Sequence, residues 1–145
     1  MENSYSFKGT YAFRIDKKGR IIIPSKLRKQ INTNQFTIIA SSANSLILYP
    51  NDSFKAFEKK IMETLNEKQI TIIKNYIYSS AEDLQLDSQG RLKIPSTLLQ
   101  KAHIEEDILI VGAMDRIELW KPEQFKKRTL SIEKEQKETL EAIGL

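Results

Sequence analysis

Two stretches of this 145-residue chain carry one spacing of reactive side chains: Asp16, Gly19, Arg20, Ile23, Pro24, Ser25 and Leu27, then Asp87, Gly90, Arg91, Ile94, Pro95, Ser96 and Leu98. A carboxylate four positions before a guanidinium, with glycine between them, can do two kinds of work. It can hold a reversal, with Asp accepting backbone N–H bonds, Gly supplying a positive φ and Arg pairing back onto Asp. Alternatively, Arg can project outward and place two hydrogen bonds on a guanine edge or clamp a phosphate.

The two copies help to separate these roles. Both must fold, so the shared skeleton of Asp16, Gly19, Asp87, Gly90 and Arg91 reads as a structural turn motif. Their decoration differs. Residues 14 to 29 hold Arg14, Lys17, Lys18, Arg20, Lys26, Arg28 and Lys29 against Asp16, a net +6, whereas residues 85 to 100 hold Arg91 and Lys93 against Asp87, a net +1. Folding does not call for that excess, and a concentration of cations is the electrostatic footprint of phosphate binding. Arg14, Lys17, Lys18 and Arg20 are therefore expected to contact DNA, with Lys26 and Arg28 as further candidates.

Other chemistries find little support. His103 is the only imidazole and there is no cysteine, which removes His-dependent triads, thiol nucleophiles, thiolate metal sites and disulfides. No Walker loop or G-x-G-x-x-G occurs among five glycines. No catalytic residue, metal site, cofactor or small-molecule ligand is expected, and an enzyme is the class least favoured. Tyr49 and Trp120 occupy equivalent positions and could stack on bases, but each ends an alternating apolar strand beside a helix start, so both read as packing residues. His103 reads as a helix-end or surface residue.

The elements that must position these residues follow from a duplication. A shift of 71 superposes Phe7 to Phe54 on Tyr78 to Phe125 without a gap, with 10 of 48 positions identical. In each copy an alternating strand (around Phe13 and Ile15, or Leu84 and Leu86) leads into the Asp-to-Gly turn. A second strand, Arg20 to Ile23 or Arg91 to Ile94, follows it, and the pattern predicts a hairpin. Pro24-Ser25 and Pro95-Ser96 open short helices. A second hairpin is expected from Phe36 to Ala40 and Ser45 to Tyr49 around Ser41 to Asn44, and from Ile108 to Val111 and Arg116 to Trp120 around Gly112 to Asp115. Asn51, Asp52 and Ser53 then read as caps for a helix with the stripe Phe54, Phe57, Ile61 and Leu65. Asn66 would cap a second helix with Ile70, Ile73 and Ile77 on one face, and Pro122 would begin the last, mostly charged, helical region. Past residue 130 the apolar anchors are few (Ile132, Leu140, Ile143), so this tail is expected to fray or to pack on a neighbouring subunit.

These boundaries give a first repeat over 7–54, a helical linker over 55–77, a second repeat over 78–125 and a charged C-terminal helix over 126–145. The composition, 40% hydrophobic with a net charge of +4, suits a folded soluble protein. The first twenty residues lack the apolar core of a signal peptide and no run approaches the ~18 apolar residues of a membrane span, so an intracellular protein is expected.

The segment FKGTYAFRIDKKGRIIIPSKLRKQI, followed by DSQGRLKIPSTLLQKAHIEEDILIVGAMDRIELW, resembles the MraZ family of bacterial regulators, whose gene opens the division and cell wall cluster. The resemblance covers residues 5 to 126. It rests on the doubled D-x-x-G-R motif, its G-R-[ILV]-x-[ILV]-P continuation and the V-G-x-x-x-x-[IL]-E-[IL]-W ending. It implies an α+β, mainly β fold of two tandem SpoVT-AbrB-type repeats, a swapped-hairpin-related β-barrel with pseudo-two-fold symmetry and helices after each repeat. It also implies a cytoplasmic, nucleoid-associated repressor that binds short direct repeats of double-stranded DNA in its own promoter. A ring-like homo-oligomer of eight or more subunits goes with this, and the family's DNA-binding element falls on Arg14, Lys17, Lys18, Arg20, Lys26 and Arg28. Two departures stand out: Met1 to Tyr5 extend beyond the family's usual start, and the tail after residue 126 matches no motif. An antitoxin-like interaction module and a nucleoid protein without sequence preference are the alternatives.

Overall fold

The computed structural model describes residues 5–145; Met1 to Ser4 of the amino-terminal extension lie outside the described residues. The first half runs β1 (Thr10–Arg14), β2 (Arg20–Ile22), α1 (Ser25–Arg28), β3 (Gln35–Ala40), β4 (Leu46–Pro50), α2 (Asn51–Thr64) and α3 (Glu67–Ile73), the last continuing into a π-helical turn at Lys74–Tyr78. The second half runs β5 (Glu82–Gln85), β6 (Arg91–Lys93), α4 (Ser96–Lys101), β7 (Asp107–Ala113), β8 (Arg116–Trp120), α5 (Pro122–Ser131) and α6 (Glu133–Ala142). The fold is α+β with a mainly β core, built from two tandem repeats.

The strand preceding each turn does not pair with the strand following it, which corrects the expected first hairpin. β1 lies antiparallel to β7, with Tyr11 opposite Ile110, and β5 lies antiparallel to β3, with Glu82 opposite Ile38. The second strands pair with each other, Ile21 facing its own equivalent Leu92. An isolated hairpin is marginal in water, whereas this exchange gives every strand a partner from the other repeat. The six-stranded sheet runs β1-β7-β8-β4-β3-β5 and the ribbon is β2-β6. Equivalent residues also meet at the centre of the sheet, Ile47 opposite Glu118, so the pseudo-two-fold axis passes through both pairs. Ribbon and sheet enclose one core, in which Ile21, Ile23, Leu92 and Ile94 pack with Ile38, Leu48, Ile110 and Leu119.

The gapless superposition slips by one residue in the third strand. Ile38 sits opposite Glu82 and Leu48, and the residue in the same setting of repeat two, opposite Tyr11 and Leu119, is Ile110, 72 positions on. Ile39, which the 71-residue shift matches to Ile110, instead packs with Ile47, Tyr49 and Phe54 on the far side of the sheet, under α2. The extra residue of repeat two lies in the exit from α4. There His103 takes φ 56°, its N–H reaches the Gln100 carbonyl and the Ile104 N–H reaches back to Leu99. This is a Schellman ending with histidine in the left-handed position that usually holds glycine. α1 has no such residue, so β3 begins one position sooner.

Two smaller boundaries also move. Pro50 stands at the cap position of α2, which places Asn51, Asp52 and Ser53 inside the helix; the Ser53 hydroxyl donates to the Asp115 carbonyl. β7 extends to Ala113, leaving Met114 and Asp115 as a tight turn. Asn66 does cap α3, its side chain accepting from Gln69 N while Gln69 answers to the Asn66 N–H. Tyr49 and Trp120 are buried, each edge-on to the next aromatic, Phe54 or Phe125, at 5.5 Å. No residue of α5 or α6 is buried.

Candidate nucleic-acid interface

The β2-β6 ribbon turns Ile21 and Leu92 inward, 1% and 0% exposed, and side chains alternate along a strand. Arg20 and Ile22 of one repeat and Arg91 and Lys93 of the other therefore share the outward face, Arg20 opposite Lys93 and Ile22 opposite Arg91. Three residue pairs cover about 10 Å of strand.

A turn stands at each end of the ribbon, and the two are alike. Asp16 Oδ1 accepts from Lys18 N (2.9 Å) and Arg20 N (2.8 Å), and its Oδ2 accepts from Arg20 Nε (2.7 Å). Asp87 repeats this with Gln89 N (2.9 Å), Arg91 N (2.8 Å) and Arg91 Nε (2.8 Å). Gly19 and Gly90 both take φ 77°. Each carboxyl is held below its ordinary pKa, first by the backbone N–H of Arg20 or Arg91 and further by that residue's guanidinium. Arg20 and Arg91 are thus in the same state, each with one edge on its aspartate and a side chain 26% exposed.

The cations are not one cluster. Lys17 and Lys18 are exposed on the first turn. Arg14, just before it, pairs with Glu106 (2.7 Å) and lies 3.6 Å from Asp107, so two exposed carboxylates offset part of its charge. Ile23 N donates to Gly90 O, which brings the end of β2, and α1 after it, to the second turn. Arg28 lies across Gly90, so close that a Cβ there would sit 1.5 Å from its Nη1, and it approaches Gln89 O at 3.5 Å. Lys26 and Lys29 are exposed on the same segment. The contiguous basic window is therefore split between the two ends of the ribbon. The second turn, neutral in its own sequence at Ser88 and Gln89, receives its positive charge from repeat one.

A family model described as "MraZ protein, putative antitoxin-like" matches residues 6–75 and again 77–143. The chain belongs to the MraZ family. Proteins named transcriptional regulator MraZ are 32% identical over 139 residues in Lachnoclostridium phytofermentans, covering 96% of this chain and 98% of that one. In Natranaerobius thermophilus the identity is 32% over 120 residues (82% and 83%), and in Clostridium tetani 34% over 122 residues (83% and 85%). The double match agrees with the duplication in this sequence.

Of the residues expected to contact DNA, Arg14, Lys17, Lys18 and Arg20 gather at the first turn, whereas the further candidates Lys26 and Arg28 lie toward the second. Lys93 and Ile22, which were not among those candidates, share the outward face with Arg20 and Arg91. The alternation in Arg91-Leu92-Lys93 carried the signal for Lys93, but its partner strand could not be named while β2 was assigned to a local hairpin.

Proposed function

We propose that this MraZ-family protein is a transcriptional regulator that binds double-stranded DNA through the outward face of its ribbon. The observation that carries the reading is the layout of charge. A two-stranded ribbon, an element that the major groove admits, carries Arg20, Arg91 and Lys93 on its face, Lys17 and Lys18 at one end, and Lys26, Arg28 and Lys29 at the other. The Asp16 and Asp87 turns hold the ribbon ends in shape, and the cations around them meet phosphates. Gly19, Gly90 and the Nε of each arginine serve that shape, while the remaining guanidinium edge of Arg20 faces the groove.

The family resemblance supports the finer reading: a cytoplasmic, nucleoid-associated repressor of the division and cell wall cluster, acting on short direct repeats in its own promoter. One ribbon makes few contacts and binds weakly. A ring of identical subunits presents several ribbons to successive repeats and raises the effective concentration of each, and head-to-tail contacts match direct rather than inverted repeats. Footprinting on the region upstream of the protein's own gene, at stated salt, with mass by light scattering, tests this. Protection of regularly spaced repeats by an assembled species is expected. Uniform protection of promoter and random DNA would overturn the regulator in favour of a non-specific nucleoid protein. The antitoxin-like wording of the family description favours a second reading, in which the basic face seats an acidic protein encoded next door, and under it neither duplex is protected.

A further inference from the structure

We infer that Ile22 reads thymine: its side chain contacts a thymine 5-methyl group in the major groove, an inference that rests on the DNA-binding reading above. Ile22 is 51% exposed although it stands at the end of a strand whose other isoleucine, Ile21, is buried. The other three residues of the ribbon's outward face are cations, with Arg91 directly opposite, Arg20 two residues before it on the same face, and Lys93 diagonal to it across the ribbon. Lone exposed aliphatic residues are common and a β-branched residue suits a strand. Here, however, the chain contains its own control. The equivalent position in repeat two, at the same place in the same ribbon by the two-fold relation, is Lys93. The ribbon therefore pairs with a lysine at this register position, so strand pairing does not call for an apolar residue there.

On a face that binds phosphate, an apolar group gains nothing from the backbone. The major groove offers it one apolar feature, the thymine 5-methyl group, which apolar side chains contact directly. The flanking arginines would fix the depth of the ribbon by their phosphate or guanine contacts, leaving the branched aliphatic side chain against the floor between them. The pseudo-symmetric ribbon is then asymmetric where it meets bases: a thymine contact from the Ile22 half and a lysine from the other. That asymmetry gives one subunit a direction on DNA, as direct repeats require.

The test uses the full-length protein and the duplex upstream of its own gene, amplified either with dTTP or with dUTP in its place, so that only the 5-methyl groups differ. Wild type is expected to bind the thymine duplex about fourfold more tightly than the uracil one, the worth of burying one methyl-sized group. Ile22→Ala should bind both alike, at the weaker level, and Ile22→Val should keep the preference. Equal binding of the two duplexes by wild type, or an undiminished preference in Ile22→Ala, overturns the thymine assignment while leaving the DNA reading standing. If wild type binds no duplex at all, the DNA reading fails and the thymine assignment falls with it; if it binds both no more tightly than a scrambled duplex of equal composition, DNA binding stands and the thymine assignment is overturned.

Discussion

At the scale of single residues, each turn is organised by one carboxylate that accepts two backbone N–H groups and one guanidinium N–H. Because Asp16 and Asp87 have pKa values lowered below 3.8 in the folded chain, they stabilise the fold above that pH, and the stabilisation is lost as pH falls through the lower folded-state value. Thermal melts taken from neutral pH down past 3.8 should show a steeper acid loss in wild type than in Asp16→Asn/Asp87→Asn, which starts less stable. Parallel curves would contradict the role given to the aspartates. The glycines differ in what surrounds them. Gly19→Ala and Gly90→Ala should each cost about 1 to 2 kcal/mol for the left-handed conformation. At Gly90 the new methyl must also displace Arg28, whereas at Gly19 it meets only the Ile94 carbonyl at 3.4 Å. Denaturant melts would give similar losses, and DNA titration should show weaker binding for Gly90→Ala alone if Arg28 works from its observed position.

At the scale of elements, the sequence was most legible where the signal is local. The proline-led short helices, the Asn66 cap, the β3-β4 and β7-β8 hairpins and the apolar stripe of α2 all depend on neighbours within a few residues. The exchange of β1 and β5 between repeats was not legible, because alternation tells which face of a strand is buried and not which strand lies beside it. The one-residue slip at β3 was hidden by a chance identity, Ile39 with Ile110, and only the pairing partners expose it. The site was legible as a list of cations and not as a surface: the ribbon carries Lys26 and Arg28 away from Lys17 and Lys18. The final helix is the element least tied to the rest. α6 has no buried residue, so deleting residues 132–145 should change the unfolding free energy by no more than about 0.5 kcal/mol. Its exposed Ile132, Leu140, Ile143 and Leu145 would then matter for assembly rather than folding, and light scattering of the truncated chain would show it as a drop in mass.

At the scale of the whole molecule, the two repeats are one structure. Each supplies strands to both sides of the sheet and one strand to the ribbon, and a single core joins them. A fragment ending at residue 75 should accordingly be unfolded, or fold only by pairing with a second copy of itself; a folded monomer by sedimentation equilibrium would contradict the interlocked topology. The same interlocking explains why a charge excess confined to repeat one becomes a surface with cations at both ends. The most direct test of the central claim is the salt dependence of binding to the upstream duplex, comparing wild type with Lys17→Ala/Lys18→Ala. These two side chains are exposed and form no ion pair with the turn, so the variant should stay folded. If both meet phosphates, it binds more weakly and its slope of log affinity against log salt is shallower by about 2. A variant that matches wild type in affinity and slope would contradict the assignment of the ribbon and its first turn to DNA.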